Sequence, residues 1–242
     1  MTEKNQNIPD IYIKLLERVE KIEKSLGKDI EFEGNTEIHS KDDNIEIDEI
    51  EDISTEKHIP IVLSSKAYLK IVFHSKKYAN KNIPQGKWVE VIGLLTGYIK
   101  NENTPIEQII VEDAWPIGHG DAVSVSILET GSVAKVVENT PKGNFIIGWY
   151  HSHPSYGNFL STDDFNTQAR YQAFWDKSIA LVIDPTTISK HDYGFGVFRN
   201  TTNTRDKMRY TELSSEIEGM NTQASFQIID MMQEGMGFLD YK

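Results

Sequence analysis

The stretch from Asn144 to Asp164 constrains this chain more than any other. Phe145-Ile146-Ile147-Gly148-Trp149-Tyr150 has the length and the apolar, aromatic character of a buried strand. It runs without a break into His151-Ser152-His153-Pro154. Pro154 has no N–H to give to a β-ladder, so the strand ends there. Ser155, Gly157 and Asn158 favour a loop. Ser161 or Thr162 then caps a helix that runs to about Trp175 and carries Asp163 and Asp164 in its first turn. A fold that accommodates this segment brings a strand end against a helix start. Residues two apart on an extended segment share a face, so both imidazoles point the same way. Two imidazoles and one carboxylate suit zinc, and three protein ligands leave a fourth position for water, as in catalytic sites.

Zinc lowers the pKa of a bound water towards about 7, and a nearby carboxylate must then take the proton. Glu90 is the candidate. It is an acid inside an otherwise apolar run, Trp88-Val89-Glu90-Val91-Ile92-Gly93-Leu94-Leu95, where a carboxylate is costly without a partner. Spacing alone leaves open whether Glu90 faces solvent or the histidines.

Composition removes several classes. The chain has no cysteine, so it has no disulfide, no thiol nucleophile and none of the Cys-x-x-Cys pairs on which zinc deaminases depend. No Gly-x-Ser-x-Gly elbow supports a serine hydrolase. A net charge of -12 argues against nucleic acid as a partner. No run approaches the roughly 20 apolar residues of a membrane span, and the first residues lack a signal-peptide core. These features give the expectation of a cytoplasmic protein that does not bind membranes.

Much of the charge is local. Residues 29–57 hold twelve acids against Lys41 and Lys57, and they read as a solvated, flexible linker. Within it, residues 45–52 alternate apolar and acidic side chains and could add a strand to another protein's sheet edge. Ahead of the linker, Tyr12, Leu15, Val19, Ile22 and Leu26 form the seam of an amphipathic helix in residues 1–28 that suits intramolecular packing or homo-oligomerisation. From about residue 58 the pattern is globular. It predicts a strand at Ile61–Leu63, a helix near Ala67–Ala79 capped by Ser64 or Ser65, and strands at Trp88–Ile99 and Glu107–Trp115. A strand through Val123, Val125 and Ile127 and a short helix near Val133–Glu138 come next, then the metal-binding segment and strands at Ile179–Ile183 and Tyr193–Phe198. Residues 203–242 read as a helical extension. Alternating strands and helices give the class α/β, or mixed α+β.

The residues from about Ile59 to Arg199 resemble the JAMM (MPN+) metalloprotease family. The resemblance rests on Glu90 in the context Glu-Val-Ile-Gly-Leu-Leu-Thr-Gly, on His151-Ser152-His153-Pro154, and on Ser161-Thr162-Asp163-Asp164. The flanks Gly148-Trp149-Tyr150, Asn166-Thr167-Gln168 and Val182-Ile183-Asp184-Pro185 agree. Among its members, the chain is most similar to the deubiquitinase of the proteasome lid, although Asn158 stands where that enzyme has a cysteine. The resemblance implies a twisted mixed β-sheet flanked by helices, related to the cytidine-deaminase-like fold. It also implies one zinc ion with a bound water, held by His151, His153 and Asp164. Glu90 would be general base and then general acid, and Ser161 an oxyanion donor. His119, Trp149 and Tyr150 would be substrate contacts. The implied activity is hydrolysis of the peptide or isopeptide bond after the C-terminus of ubiquitin or a ubiquitin-like modifier, and the implied settings are the proteasome or another MPN-containing complex. A zinc peptidase acting on small peptides or modifier precursors, and a non-catalytic MPN scaffold, are the alternatives.

Overall fold

The computed structural model describes residues 60–120, 130–201 and 209–235. The expected N-terminal helix, the acidic linker and the strand through Val123–Ile127 lie outside these residues. In chain order the described elements are β1 (Ile61–Ser64), α1 (Ser65–Tyr78), β2 (Val91–Lys100), β3 (Gln108–His119), α2 (Thr130–Asn139), β4 (Phe145–Ser152), α3 (Thr162–Phe174), β5 (Ile179–Ile183), β6 (Phe195–Asn200), β7 (Tyr210–Glu212), β8 (Ser215–Glu218) and α4 (Thr222–Gly235). A single-turn 3₁₀ helix, Gln85–Lys87, precedes β2.

The strands form one mixed sheet in the order β7-β6-β5-β4-β2-β3-β1-β8. β1 runs parallel to β3 and β8, and β4 parallel to β5; the other neighbours are antiparallel. This is the mixed, helix-flanked sheet that the family resemblance implies. Among the described residues of the tail, the helical expectation holds for Thr222–Gly235. Tyr210–Glu212 and Ser215–Glu218 are strands at opposite edges of the sheet. Each is so short that its pairing partner, not its own periodicity, decides its conformation.

Side-chain alternation divides the core between the two faces. On β5, Ile179, Leu181 and Ile183 join one cluster with Tyr68, Ile71 and Val72 of α1 and Ile229 of α4. Ala180 and Val182 join the other, with Val136 of α2 and Trp149. A strand buried on both faces reads as a continuous apolar run, as Ile-Ala-Leu-Val-Ile does. Helix α1 is started by Ser64, whose Oγ accepts the Ala67 N–H at 3.0 Å and itself donates to the Glu112 carbonyl at 2.8 Å. Gly93 marks one of the close approaches within the sheet. A Cβ there would strike the Trp115 carbonyl and the Tyr150 ring, so only glycine lets β2 pass.

On the α1 face, Tyr150 is fully buried, and its hydroxyl lies 2.9 Å from His74 Nδ1. Burial, with smaller contributions from His119 and Lys77, lowers the His74 pKa from 6.5 to about 4. The unfolded chain therefore takes up a proton near pH 6.5 that the folded chain refuses until about pH 4. Between those values the unfolded state binds more protons, so stability falls as pH falls. Allowing for the partial exposure of the ring, the loss is on the order of 2 kcal/mol. Urea unfolding at pH 7 and pH 4 checks this: His74→Gln is expected to lose less stability than the wild type across that interval, by about that amount.

Candidate metal centre

The site forms where β2 and β4 separate. The regular β2–β4 pairing reaches Ile92↔His151. One residue further, the Val91 N–H is taken not by a β4 carbonyl but by Ser152 Oγ, at 3.0 Å. On its other side β4 stays attached to β5, and His153 N continues that ladder to the Ile183 carbonyl at 2.9 Å. The strands thus splay on one side only. A cavity of about 380 Å³ opens there, lined by Glu90, His151, His153, Ser161 and Asp164 together with Tyr156 and Phe159.

The helix that faces this opening, α3, begins with a capping box. Ser161 Oγ accepts the Asp164 N–H at 3.3 Å, and Asp164 Oδ2 accepts the Ser161 N–H at 2.8 Å. The Ser161 hydroxyl also donates to Oδ2, at 2.6 Å. Such a box satisfies two of the orphan donors of a first helical turn, and here it fixes the direction of the carboxylate. Ser161, not Thr162, is the cap. The same geometry separates the two aspartates: Asp164 is turned inward and buried, while Asp163 is exposed in the same turn.

Three donor atoms converge. His151 Nε2 and His153 Nε2 are 2.8 Å apart, and they lie 3.2 Å and 3.3 Å from Asp164 Oδ1 and Oδ2. His151, His153 and Asp164 are, among the described residues, a group that could hold a metal ion. The fit to zinc can be tested from chemistry. Tetrahedral ligands at zinc–ligand distances of about 2.05 Å lie roughly 3.3 Å from one another, close to the separations seen here. Hydrogen bonding alone does not suit the cluster. The imidazole–imidazole contact needs one Nε2 without a proton, whereas both carboxylate contacts need Nε2–H. A cation at the centre accepts a lone pair from all three groups.

The surroundings hold these groups in place. Trp149 stacks on the His151 ring, with centroids 4.9 Å apart, and its indole N–H is tied to Gln168 Oε1 at 2.9 Å. Burial by itself would raise the Asp164 pKa, but the bonds from His151, His153 and Ser161 outweigh it and hold the carboxyl well below the usual range. Burial likewise disfavours a charged His153. Asp164, then the charge of Glu90 and the backbone of Gly157, reverse that and raise its pKa.

Glu90 lies one residue before β2 rather than within the strand. Its carbonyl accepts the Gly120 N–H at 2.9 Å, extending the β2–β3 ladder by one bond. The 3₁₀ turn ahead of it is anchored by Trp88, whose indole donates to the Ile83 carbonyl at 2.9 Å. Glu90 lines the cavity, which spacing could not show.

Two of the expected substrate contacts lie elsewhere. His119 is paired with Val91, whose side chain belongs to the α1 face, and it stacks on Tyr78 at 4.1 Å. Tyr150 is buried on that same face. Trp149 does border the cavity, but it is 1% exposed and supports His151. The exposed aromatic side chains at the rim are Tyr156 and Phe159, at 74% and 40% exposure. They were not among the expected contacts, and their place in the loop after Pro154 was the available signal. Ser152 was also missed, because nothing in a His-Ser-His sequence shows that the serine ends a ladder.

Comparison with known proteins agrees with this geometry. A family profile described as "JAB1/Mov34/MPN/PAD-1 ubiquitin protease" matches residues 56–177. The chain is 32% identical over 142 residues to the 26S proteasome non-ATPase regulatory subunit 14 of Drosophila melanogaster, covering 57% of this chain and 42% of that protein. It is 31% identical over 144 residues to COP9 signalosome complex subunit 5 of Neurospora crassa, covering 57% and 39%. It is 33% identical over 150 residues to COP9 signalosome complex subunit 5a of Arabidopsis thaliana, covering 57% and 37%. The chain thus spans about two fifths of the length of these relatives. No helix among the described residues is long and apolar enough to cross a membrane. Since the matching profile extends over half of the sequence, the chain belongs to the JAB/MPN family of JAMM proteins.

Proposed function

We propose that this protein is a zinc-dependent isopeptidase that cleaves after the C-terminus of ubiquitin or a ubiquitin-like modifier. The observation that carries the proposal is the convergence of His151, His153 and Asp164 on one point of a cavity that Glu90 also lines. A scaffold would not need such an arrangement of buried ionisable groups. The two imidazoles and the Asp164 carboxylate would hold the ion. When bound, zinc supplies Lewis acidity and lowers the pKa of water.

Glu90 accepts the proton of the attacking water and delivers it to the departing amine. Ser161 lines the same cavity, and its hydroxyl is the oxyanion donor after rotating from Asp164 Oδ2. Tyr156 and Phe159 offer an apolar rim to an extended peptide. Relatives that are named as subunits of the proteasome and the COP9 signalosome support a multi-subunit assembly as the setting.

Metal removal tests the proposal. A chelator is expected to abolish cleavage of a ubiquitin or ubiquitin-like fusion, and one equivalent of zinc to restore it, with release of the fused partner followed by gel. Full activity in the chelator would refute the zinc chemistry.

A further inference from the structure

The buried carboxylate of Asp184 takes no part in the chemistry above, and it is 1% exposed. It lies just past the end of β5 and gathers donors from the loop that follows His153. Its Oδ1 accepts the Ser155 N–H at 3.1 Å, and its Oδ2 accepts the Gly157 N–H at 3.0 Å. Thr186 adds its N–H at 2.8 Å and its hydroxyl at 2.6 Å, both to Oδ1. In return, the Asp184 N–H donates to Asn158 Oδ1 at 3.1 Å. The loop that these bonds hold is not a relaxed one. Ser155 and Gly157 both have positive φ, 71° and 85°, a conformation that is unfavourable for a non-glycine residue such as Ser155. It persists where surrounding bonds determine it.

The strained loop bears directly on the metal centre. Ser155 is two residues from His153. The Tyr156 N–H donates to the His153 carbonyl at 3.1 Å, and Phe159 packs against the His153 ring at 4.9 Å. Asp184 thus fixes the backbone on which the second histidine's surroundings are built. We propose that Asp184 is a positioning residue of the metal centre, clamping residues 155–158 so that His153 Nε2 is held at the point where His151 and Asp164 meet. The inference rests on the zinc reading above. It assigns the Asp184 carboxylate to metal affinity and geometry rather than to a proton-transfer step.

The test uses the full chain loaded with Zn²⁺ or Co²⁺. In Asp184→Asn the side-chain amide sets a donor against the Gly157 N–H while leaving size unchanged. Chelator competition is expected to show zinc affinity reduced by about 10–100-fold, the range typical of partners that orient metal ligands. The cobalt d–d bands are expected to shift, and the Ser155 and Gly157 amides to exchange faster. A merely structural role would lower the melting temperature of the metal-free protein without moving the cobalt spectrum. Where Asp184→Asn fails to fold, Asn158→Ala decides, since it removes the reciprocal bond alone; a loss of at least about threefold is expected. Zinc affinity within twofold of a zinc-binding wild type, in whichever variant folds, overturns the inference and leaves the zinc reading intact. A wild type that binds no zinc overturns both.

Discussion

Glu90→Gln is expected to reduce cleavage of a ubiquitin-type fusion by about 10²–10⁴-fold, the contribution of a positioned general base, with zinc content unchanged. The two halves of this result are linked. Glu90 lies outside the donor triad, so its carboxylate is not needed to hold the ion. It nevertheless borders the same cavity, and its charge reaches His153. Glutamine preserves the size and most of the polarity of the side chain but cannot accept a proton. Single-turnover assays beside metal analysis check both halves. Cleavage at the wild-type rate would remove Glu90 from the mechanism, and loss of zinc would make it a ligand instead.

Asp164→Ala is expected to lower zinc affinity by more than about 100-fold, beyond the effect of substituting an outer partner, and to abolish activity with it. It also removes the carboxylate half of the capping box of α3, while the bond from the backbone N–H of residue 164 to Ser161 Oγ survives. Asp163→Ala is the comparison. That residue is exposed one position earlier and loses only a helix-dipole contact, worth about 0.3–1 kcal/mol. Chelator titration and thermal melts of the two variants separate the roles. Equal zinc affinity in both would place the carboxylate ligand elsewhere.

The histidines, the aspartates and the strand that feeds them were legible because each depends on local chemistry. Pro154 ends a ladder, a serine starts a helix, and alternate residues share a face. The short strands Tyr210–Glu212 and Ser215–Glu218 were not legible. Three or four residues with a single apolar position each are too few to show a period, and β6 and β1 decide their state by pairing with them. The placement of His119 and Tyr150 on the α1 face was not legible for a related reason. Proximity in sequence to a metal ligand says nothing about which side of a sheet a neighbour occupies. Asp184 was quoted only as a flanking match, since a buried acceptor for four donors is visible only when the loop has folded around it.

Strand β4 has a parity. His151 and Trp149 serve the metal side of the sheet, while Tyr150 between them anchors the opposite layer through His74. Gaining one residue between Trp149 and Tyr150 would exchange the destinations of the residues that follow and send the phenol to the cavity side and the imidazole to the opposite layer. For distant sequences that keep two histidines one residue apart, the phase of the preceding aromatic pair is therefore a stricter criterion of a working centre than the histidines alone.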